Sequence, residues 1–194
     1  MPLLRRGFKT WCENAARGYR RELGLEPFAP LDPRLLASKL GVKISTPRDV
    51  PGVPPAALCQ LTKVDYSSWS AVTISVADKF LIIVNDKDSI ERQNNSLAHE
   101  LSHVVLEHRA AQVFVSPKGQ MLLSEYDRVQ EEEANCLSGT LLIPRDALLS
   151  FLARGYEHAR IASHFVVTRD LLQMRINLTG VGKQLANRRH YSRG

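Results

Sequence analysis

The chain of 194 residues is 44% hydrophobic and 24% charged, an ordinary soluble composition that is long enough for a sizeable core in one domain. The net charge of +6 lies largely at the two ends of the chain, where solvated basic residues are a simpler explanation than nucleic-acid binding. Three cysteines without Cys-x-x-Cys spacing and an N-terminus without a continuous apolar stretch argue against a disulfide framework and a signal peptide, so we expect a cytoplasmic protein with no membrane segment.

Two helices are predicted at the start of the chain. The apolar residues at positions 8–23 recur at helical spacing, and Gly24 is typical of the position just past a helix end. Asp32 is a good N-cap, Pro33 suits the first helical position, and Gly41 ends a short second helix.

A small antiparallel sheet is predicted next. Residues 58–63, 70–76 and 80–84 are rich in β-branched and apolar side chains and are separated by turn-like segments, and residues 42–45 are a further brief strand. An edge strand of such a sheet can bind an extended peptide by strand addition. Which strand lies at the edge cannot be read from the sequence.

The motif with the clearest chemistry is His-Glu-x-x-His at residues 99–103, within a run that predicts a buried helix. Four residues of α-helix advance about 6 Å and pass a full turn by about 40°, so His99 and His103 share one face and can reach one cation. Glu100 is then placed to take a proton from the attacking water. Core histidines satisfied by other partners are the alternative, but a zinc-dependent hydrolase explains all three residues together.

The third metal ligand has to come from farther along the chain. A histidine at position 109 would continue the pattern of another zinc-protease class, but Arg109 stands there. His108 is turned well off the ligand face, so we expect it to cap the helix end or to contact a ligand from behind. Residues 113–120 predict a loop, and the next helix is predicted from Ser124, in a capping box with Asp127, to about residue 142.

That helix carries the acidic cluster Glu131, Glu132 and Glu133, of which only one can face inward. We choose Glu131 as the third ligand. Asn135, four residues later on the same face, would then hydrogen-bond a ligand histidine and orient it. Glu132 and Glu133 are interpreted as solvated neighbours.

Three segments resemble the ImmA/IrrE family of bacterial metallopeptidases. They are Ala-His-Glu-Leu-Ser-His at 98–103, Glu-x-x-Ala-Asn at 131–135, and Leu-Leu-Ile-Pro at 141–144, and weaker similarity extends over about residues 10–180. Ser102, Asn95 and Leu137 depart from the usual family residues, but none of them is a predicted ligand.

The resemblance implies an α+β, zincin-like fold, in which the small sheet packs on the motif helix and a second ligand-bearing helix, flanked by N- and C-terminal helices. It also implies a gluzincin-like site with one Zn²⁺ per chain, a cytoplasmic setting, and a role in transcription regulation through cleavage of a helix-turn-helix repressor. A donor for the oxyanion is expected too, and Tyr126 or His164 could serve, although nothing in the sequence places either.

The C-terminal part supplies the rival interpretation. Residues 157–178 predict two short helices joined by a turn, as in a DNA-binding helix-turn-helix, so a DNA-binding or regulatory sensor protein is the second hypothesis. A helix pair packed on a catalytic core has the same periodicity, and we prefer it. We therefore predict a metallopeptidase core with N-terminal helices over residues 1–150 and a packed helical segment with a basic tail over residues 151–194.

Overall fold

The computed structural model describes residues 4–76, 79–108, 113–115, 121–123 and 127–191 of the chain. These residues form an α+β fold with a three-stranded mixed sheet and a separate two-stranded sheet. The helices are α1 (Phe8–Glu22), α2 (Pro33–Lys39), α3 (Pro55–Cys59), α4 (Ile90–Val105), α5 (Arg128–Leu142), α6 (Arg145–Ala153), α7 (His158–Phe165), α8 (Arg169–Thr179) and α9 (Val181–Tyr191). The strands are β1 (Lys43–Ser45), β2 (Ala71–Val76), β3 (Lys79–Val84), β4 (Val113–Val115) and β5 (Met121–Leu123).

The three-stranded sheet has the order β1-β3-β2, so β2 lies at an edge. The predicted antiparallel pairing holds for β2 and β3, in which Thr73 lies opposite Ile82. The sheet as a whole is mixed rather than antiparallel, because β1, for which no partner was predicted, runs parallel to β3. Between β1 and β3 the chain passes through α3 and β2. A connection of this length lets two strands pair in the parallel sense, which a short hairpin does not allow.

The strand predicted at residues 58–63 is wrong, because this segment is helical. Pro55 begins α3 at the first helical position, where its fixed φ is favourable, and a π-helical turn, Gln60–Val64, follows. The Thr62 hydroxyl donates to the Leu58 carbonyl and closes this turn. A short apolar run does not by itself distinguish a strand from a buried helical turn.

Two further predictions concern the segment between α4 and α5. Part of the loop predicted at residues 113–120 is strand, since β4 pairs antiparallel with β5, while residues 116–120 lie outside the described part. The predicted helix start at Ser124 also lies outside it. The described helix begins at Arg128, and the Asp127 carboxylate accepts hydrogen bonds from the backbone N–H groups of Val129 and Gln130 and acts as the N-cap.

The packing of α4 against α5 positions the candidate site. Leu97 and Leu101 of α4 and Leu137 and Leu141 of α5 are fully buried in one apolar cluster with residues of α1, α2 and the sheet. Side chains four residues apart lie on the same face of a helix, so these leucines hold the two helices side by side. The same packing brings His99 and His103 of α4 next to Glu131 of α5.

The C-terminal helices pack on this core. α8 contacts both α5 and α6, and Leu172 of α8 and Phe165 of α7 are buried in a second apolar cluster with the end of α5. Among the described residues, no single helix has the length and apolar character needed to cross a membrane. α5 and α6, which are bent by 55° at the break between them, meet these two criteria only when they are combined.

A buried ion pair ties α1 to α8. The Arg175 side chain is only 2% exposed, its Nη2 lies 2.8 Å from Glu13 Oε1, and its Nε donates to the Ile143 carbonyl at 3.0 Å. The side chain crosses α5 at Gly139, where an added Cβ would lie 2.7 Å from Arg175 Cδ. Glu13 also accepts a hydrogen bond from the backbone N–H of Arg145 at 3.0 Å. One carboxylate thus joins three helices.

Replacing Glu13 by alanine is expected to destabilise the fold by about 3 kcal/mol, because Arg175 would remain buried without its carboxylate. The free energy of unfolding in urea measures this change. Glu22→Ala is the matched control, since Glu22 pairs with Lys39 at 2.8 Å on the surface and its loss should cost at most about 1 kcal/mol. Equal small losses in both variants would show that the buried pair contributes nothing special.

Candidate metal centre

α4 and α5 bring the three predicted ligand residues together. His99 and His103 lie one turn apart on α4, and their Nε2 atoms are 3.1 Å from each other. From α5, Glu131 Oε2 lies 3.2 Å from His99 Nε2, and Glu131 Oε1 lies 3.4 Å from His103 Nε2. The three residues therefore form a triangle of donor groups, in which the two histidine nitrogens contact different oxygens of the Glu131 carboxylate.

The size and chemistry of this triangle fit a zinc ion. Tetrahedral zinc with bonds of about 2.0–2.1 Å to nitrogen and oxygen holds its donor atoms roughly 3.3 Å apart. The observed separations run from 3.1 to 3.4 Å. Two imidazoles and one carboxylate are also a ligand set that catalytic zinc sites use, with the fourth position left for water or substrate.

The electrostatics of the cluster keep His103 in the form that can bind a cation. Burial, together with the neighbouring imidazoles of His99 and His108, lowers the pKa of His103 to about 4. The imidazole is therefore neutral at pH 7 and has a nitrogen lone pair available.

Glu100 has a partner that the sequence did not reveal. Its carboxylate Oε2 accepts a hydrogen bond of 2.5 Å from the Thr73 hydroxyl on β2. The two residues are 27 positions apart, so no local spacing could have paired them. Thr73 fixes the direction of the Glu100 carboxylate on the side of the site that faces the edge strand.

A cleft of about 290 Å³ opens beside His99 and Glu100. Ala71 of β2 lines one side, and Leu171 of α8 is among the apolar residues on its wall. Asn135 also lines this cleft, and its backbone carbonyl accepts a hydrogen bond from Ser138 Oγ. In the described part of the chain no hydrogen bond joins the Asn135 amide to either ligand histidine, so its orienting role stays a prediction.

The two predicted oxyanion donors are not brought to the cleft by anything the structure describes. Tyr126 lies outside the described residues. His164 Nε2 lies 2.9 Å from the Phe28 carbonyl, and its ring packs 4.8 Å from that of Phe151. His164 thus belongs to an aromatic cluster on α6 and α7.

Glu133 is not the solvated neighbour that the sequence suggested. Its side chain is only 16% exposed, and its carboxylate lies 3.3 Å from His108 Nε2. His108 in turn contacts His103, as the sequence analysis allowed. The prediction failed because it treated α5 as a helix with one inward face, whereas His108, just past the end of α4, contacts α5 at Glu133 as well.

These observations define the class of protein: an α+β fold in which two packed helices gather two histidines and a carboxylate as a candidate metal-binding centre. The family model of Peptidase_M78, the IrrE N-terminal-like domain, matches residues 61–177, which is more than half of the chain. The chain therefore belongs to this family, which confirms the predicted ImmA/IrrE assignment and indicates a peptidase-type protein.

A solved structure of a Mycobacterium tuberculosis transcriptional regulator has a similar fold. The TM-score is 0.53 at 13% sequence identity, and the match covers 85% of this chain and 46% of the regulator. The chain thus spans less than half of the regulator's length, and the similarity concerns the fold. No curated protein sequence matches the chain.

Proposed function

We propose that this protein is a zinc-dependent endopeptidase. The observation that carries the proposal is the donor triangle of His99, His103 and Glu131, whose nearest nitrogen and oxygen atoms lie 3.1 to 3.4 Å apart, together with Glu100, which follows His99 on α4 and lines the same cleft. Family membership supports peptidase activity. The proposed ligands are thus the three residues that the sequence analysis selected.

A zinc ion held by His99, His103 and Glu131 would supply Lewis acidity for the peptide carbonyl and for the attacking water. Glu100 is the general base, and its carboxylate takes one proton from the attacking water. The Thr73 hydroxyl holds the carboxylate in place while it does so. Glu100 then passes the proton to the nitrogen of the leaving amine, so that one water is consumed for each peptide bond broken.

The edge strand β2 is the proposed binding surface for an extended substrate. Within the described residues, β2 pairs only with β3, and its Thr73 and Ala71 lie against Glu100 and the cleft. A peptide added alongside β2 would place one carbonyl next to the donor triangle. A folded substrate therefore has to present a loop or to unfold locally.

From the family resemblance, we propose that the substrate is a helix-turn-helix transcriptional repressor in the cytoplasm and that cleavage relieves repression. We expect cleavage at few sites when the purified protein is incubated with a helix-turn-helix protein encoded beside its gene. Intact-mass analysis would detect the fragments. They should be absent with chelator and absent with Glu100→Gln. Broad digestion of casein without cleavage of that neighbour would point instead to a general peptidase.

In the part of the chain that the structure describes, the C-terminal helices do not favour DNA binding as a second function. On α8, Leu172 and Arg175 are buried, while Leu171 and Met174 line the cleft. These contacts account for the apolar periodicity of the segment. A salt-dependent mobility shift with duplex DNA would be the result that reopens this alternative, since phosphate contacts weaken steeply as salt rises.

A further inference from the structure

The end of α4 folds back toward the metal centre in a defined turn. The backbone N–H of His108 donates to the backbone carbonyl of His103 at 3.0 Å, and the backbone N–H of Glu107 donates to that of Val104 at 3.1 Å. This pair of hydrogen bonds is the Schellman pattern, which closes a helix C-terminus and returns the second residue past the cap over the last turn. His108 is therefore carried back onto His103.

The backbone adopts an unfavourable conformation to make this turn. Glu107 has a φ of 53°, in the left-handed region where glycine is the usual residue. Such a conformation at a non-glycine residue persists when the surrounding structure holds it, and it is often found at functional sites. The contact made by His108 is a candidate for what holds it.

A Schellman turn ordinarily ends in an apolar contact, but here the contact is polar. His108 Nδ1 lies 3.0 Å from His103 Nδ1, and the His108 side chain is only 6% exposed. Its other nitrogen, Nε2, lies 3.3 Å from Glu133 Oε2 on α5. The chain of contacts thus runs from the Glu133 carboxylate through His108 to the back of His103.

The chemistry of these groups determines which atom donates and which accepts in each contact of the series. A carboxylate only accepts, so His108 Nε2 must carry the hydrogen that it donates to Glu133. An imidazole that carries its hydrogen on Nε2 accepts at Nδ1, and in this arrangement His103 carries its hydrogen on Nδ1. The Nε2 atom of His103 is then unprotonated, and this atom faces His99 and Glu131.

We propose that His108 and Glu133 are positioning residues that orient His103 with its unprotonated Nε2 toward the metal site. The inference rests on the zinc site of the proposed function. Partners of this kind behind a ligand histidine typically contribute 10- to 100-fold to metal affinity. The competing explanation is that His108 merely fills space at the end of α4.

Zinc affinity, measured by competition with a chromophoric chelator, tests the proposal. His108→Phe keeps a ring of similar size but removes both nitrogens, and we expect it to weaken zinc binding about 10- to 100-fold. Glu133→Leu should also weaken zinc binding. The double variant should lose little more zinc affinity than His108→Phe alone, since both residues act through the same series of contacts to His103. Glu133→Gln, which keeps an acceptor, should recover most of the affinity.

Glu132→Leu is the matched control, because Glu132 neighbours Glu133 on α5 and is outside the chain of contacts. A loss of affinity in Glu132→Leu equal to that in Glu133→Leu would overturn the proposal, as would an unchanged affinity in His108→Phe. Thermal unfolding of each zinc-free variant verifies that it is folded. If His108→Phe does not fold, the two Glu133 variants provide the test.

A second readout does not depend on zinc. Nitrogen-15 NMR of the zinc-free protein should find the hydrogen of His103 on Nδ1 in the wild type and in Glu132→Leu, and partly on Nε2 in His108→Phe. A filler role for His108 would leave this tautomer unchanged and would contradict the proposal. Failure of the wild type to bind zinc would instead contradict the proposed function, so the two failures are distinguishable.

Discussion

Glu100→Gln is expected to leave the chain folded and loaded with zinc while reducing peptide hydrolysis by about 10²- to 10⁴-fold, the range for loss of a general base. Glutamine has the same shape as glutamate and can still accept the hydrogen bond from the Thr73 hydroxyl. It cannot take a proton from water. The variant therefore separates proton transfer from metal binding.

The rate of fragment formation from the helix-turn-helix substrate and the zinc content by elemental analysis are measured on the same preparation. Glu132→Gln removes a charge from α5 without touching the proposed base, and it should keep both activity and zinc. Loss of zinc from Glu100→Gln would show that Glu100 is a ligand, and the division of roles would be wrong. Full activity in Glu100→Gln would require a different base.

Removal of one proposed ligand is expected to have the second large effect. Wild-type protein should hold one zinc per chain, whereas His99→Ala, His103→Ala and Glu131→Ala should each weaken zinc binding by more than about 100-fold, beyond the range for residues that only support a ligand. The reason is that each variant leaves two donors of the triangle, and two donors do not define a closed site.

Zinc content after dialysis against a weak chelator measures this effect, with Glu132→Ala as the control that should retain the metal. Hydrolysis should disappear in the three ligand variants together with the zinc. If Glu131→Ala keeps full occupancy while Glu132→Ala loses it, the assignment of the third ligand is wrong.

The predictions that succeeded rest on local rules. Apolar spacing and capping residues gave α1, α2 and β3 nearly to their observed ends, because helix periodicity and N-caps depend on neighbours within one or two turns. The family resemblance, carried by the motif in α4 and by residues 131–135, is confirmed by the match over residues 61–177.

The predictions that failed depended on packing. Residues 58–63 have the composition of a strand, but they are helical. The helix that contains the first of them begins at Pro55, and the Thr62 hydroxyl donates to the Leu58 carbonyl in the turn that follows. The sheet is mixed rather than antiparallel because β1 joins it parallel to β3, and this pairing depends on how the intervening chain returns to the sheet. Neither outcome is encoded in the local pattern of apolar residues.

For the candidate site, the sequence by itself determined the pair His99 and His103, since four residues of α-helix place two side chains on one face whatever surrounds them. Only the tertiary structure decided how Glu131, Thr73 and Glu133 relate to that pair. Each of these three lies at least 26 positions in the chain from the nearest residue of the motif. Each reaches the site through the packing of α5 or β2 on α4. Such contacts follow from the burial of Leu97, Leu101 and their partners, a collective property of the core that no short segment carries alone.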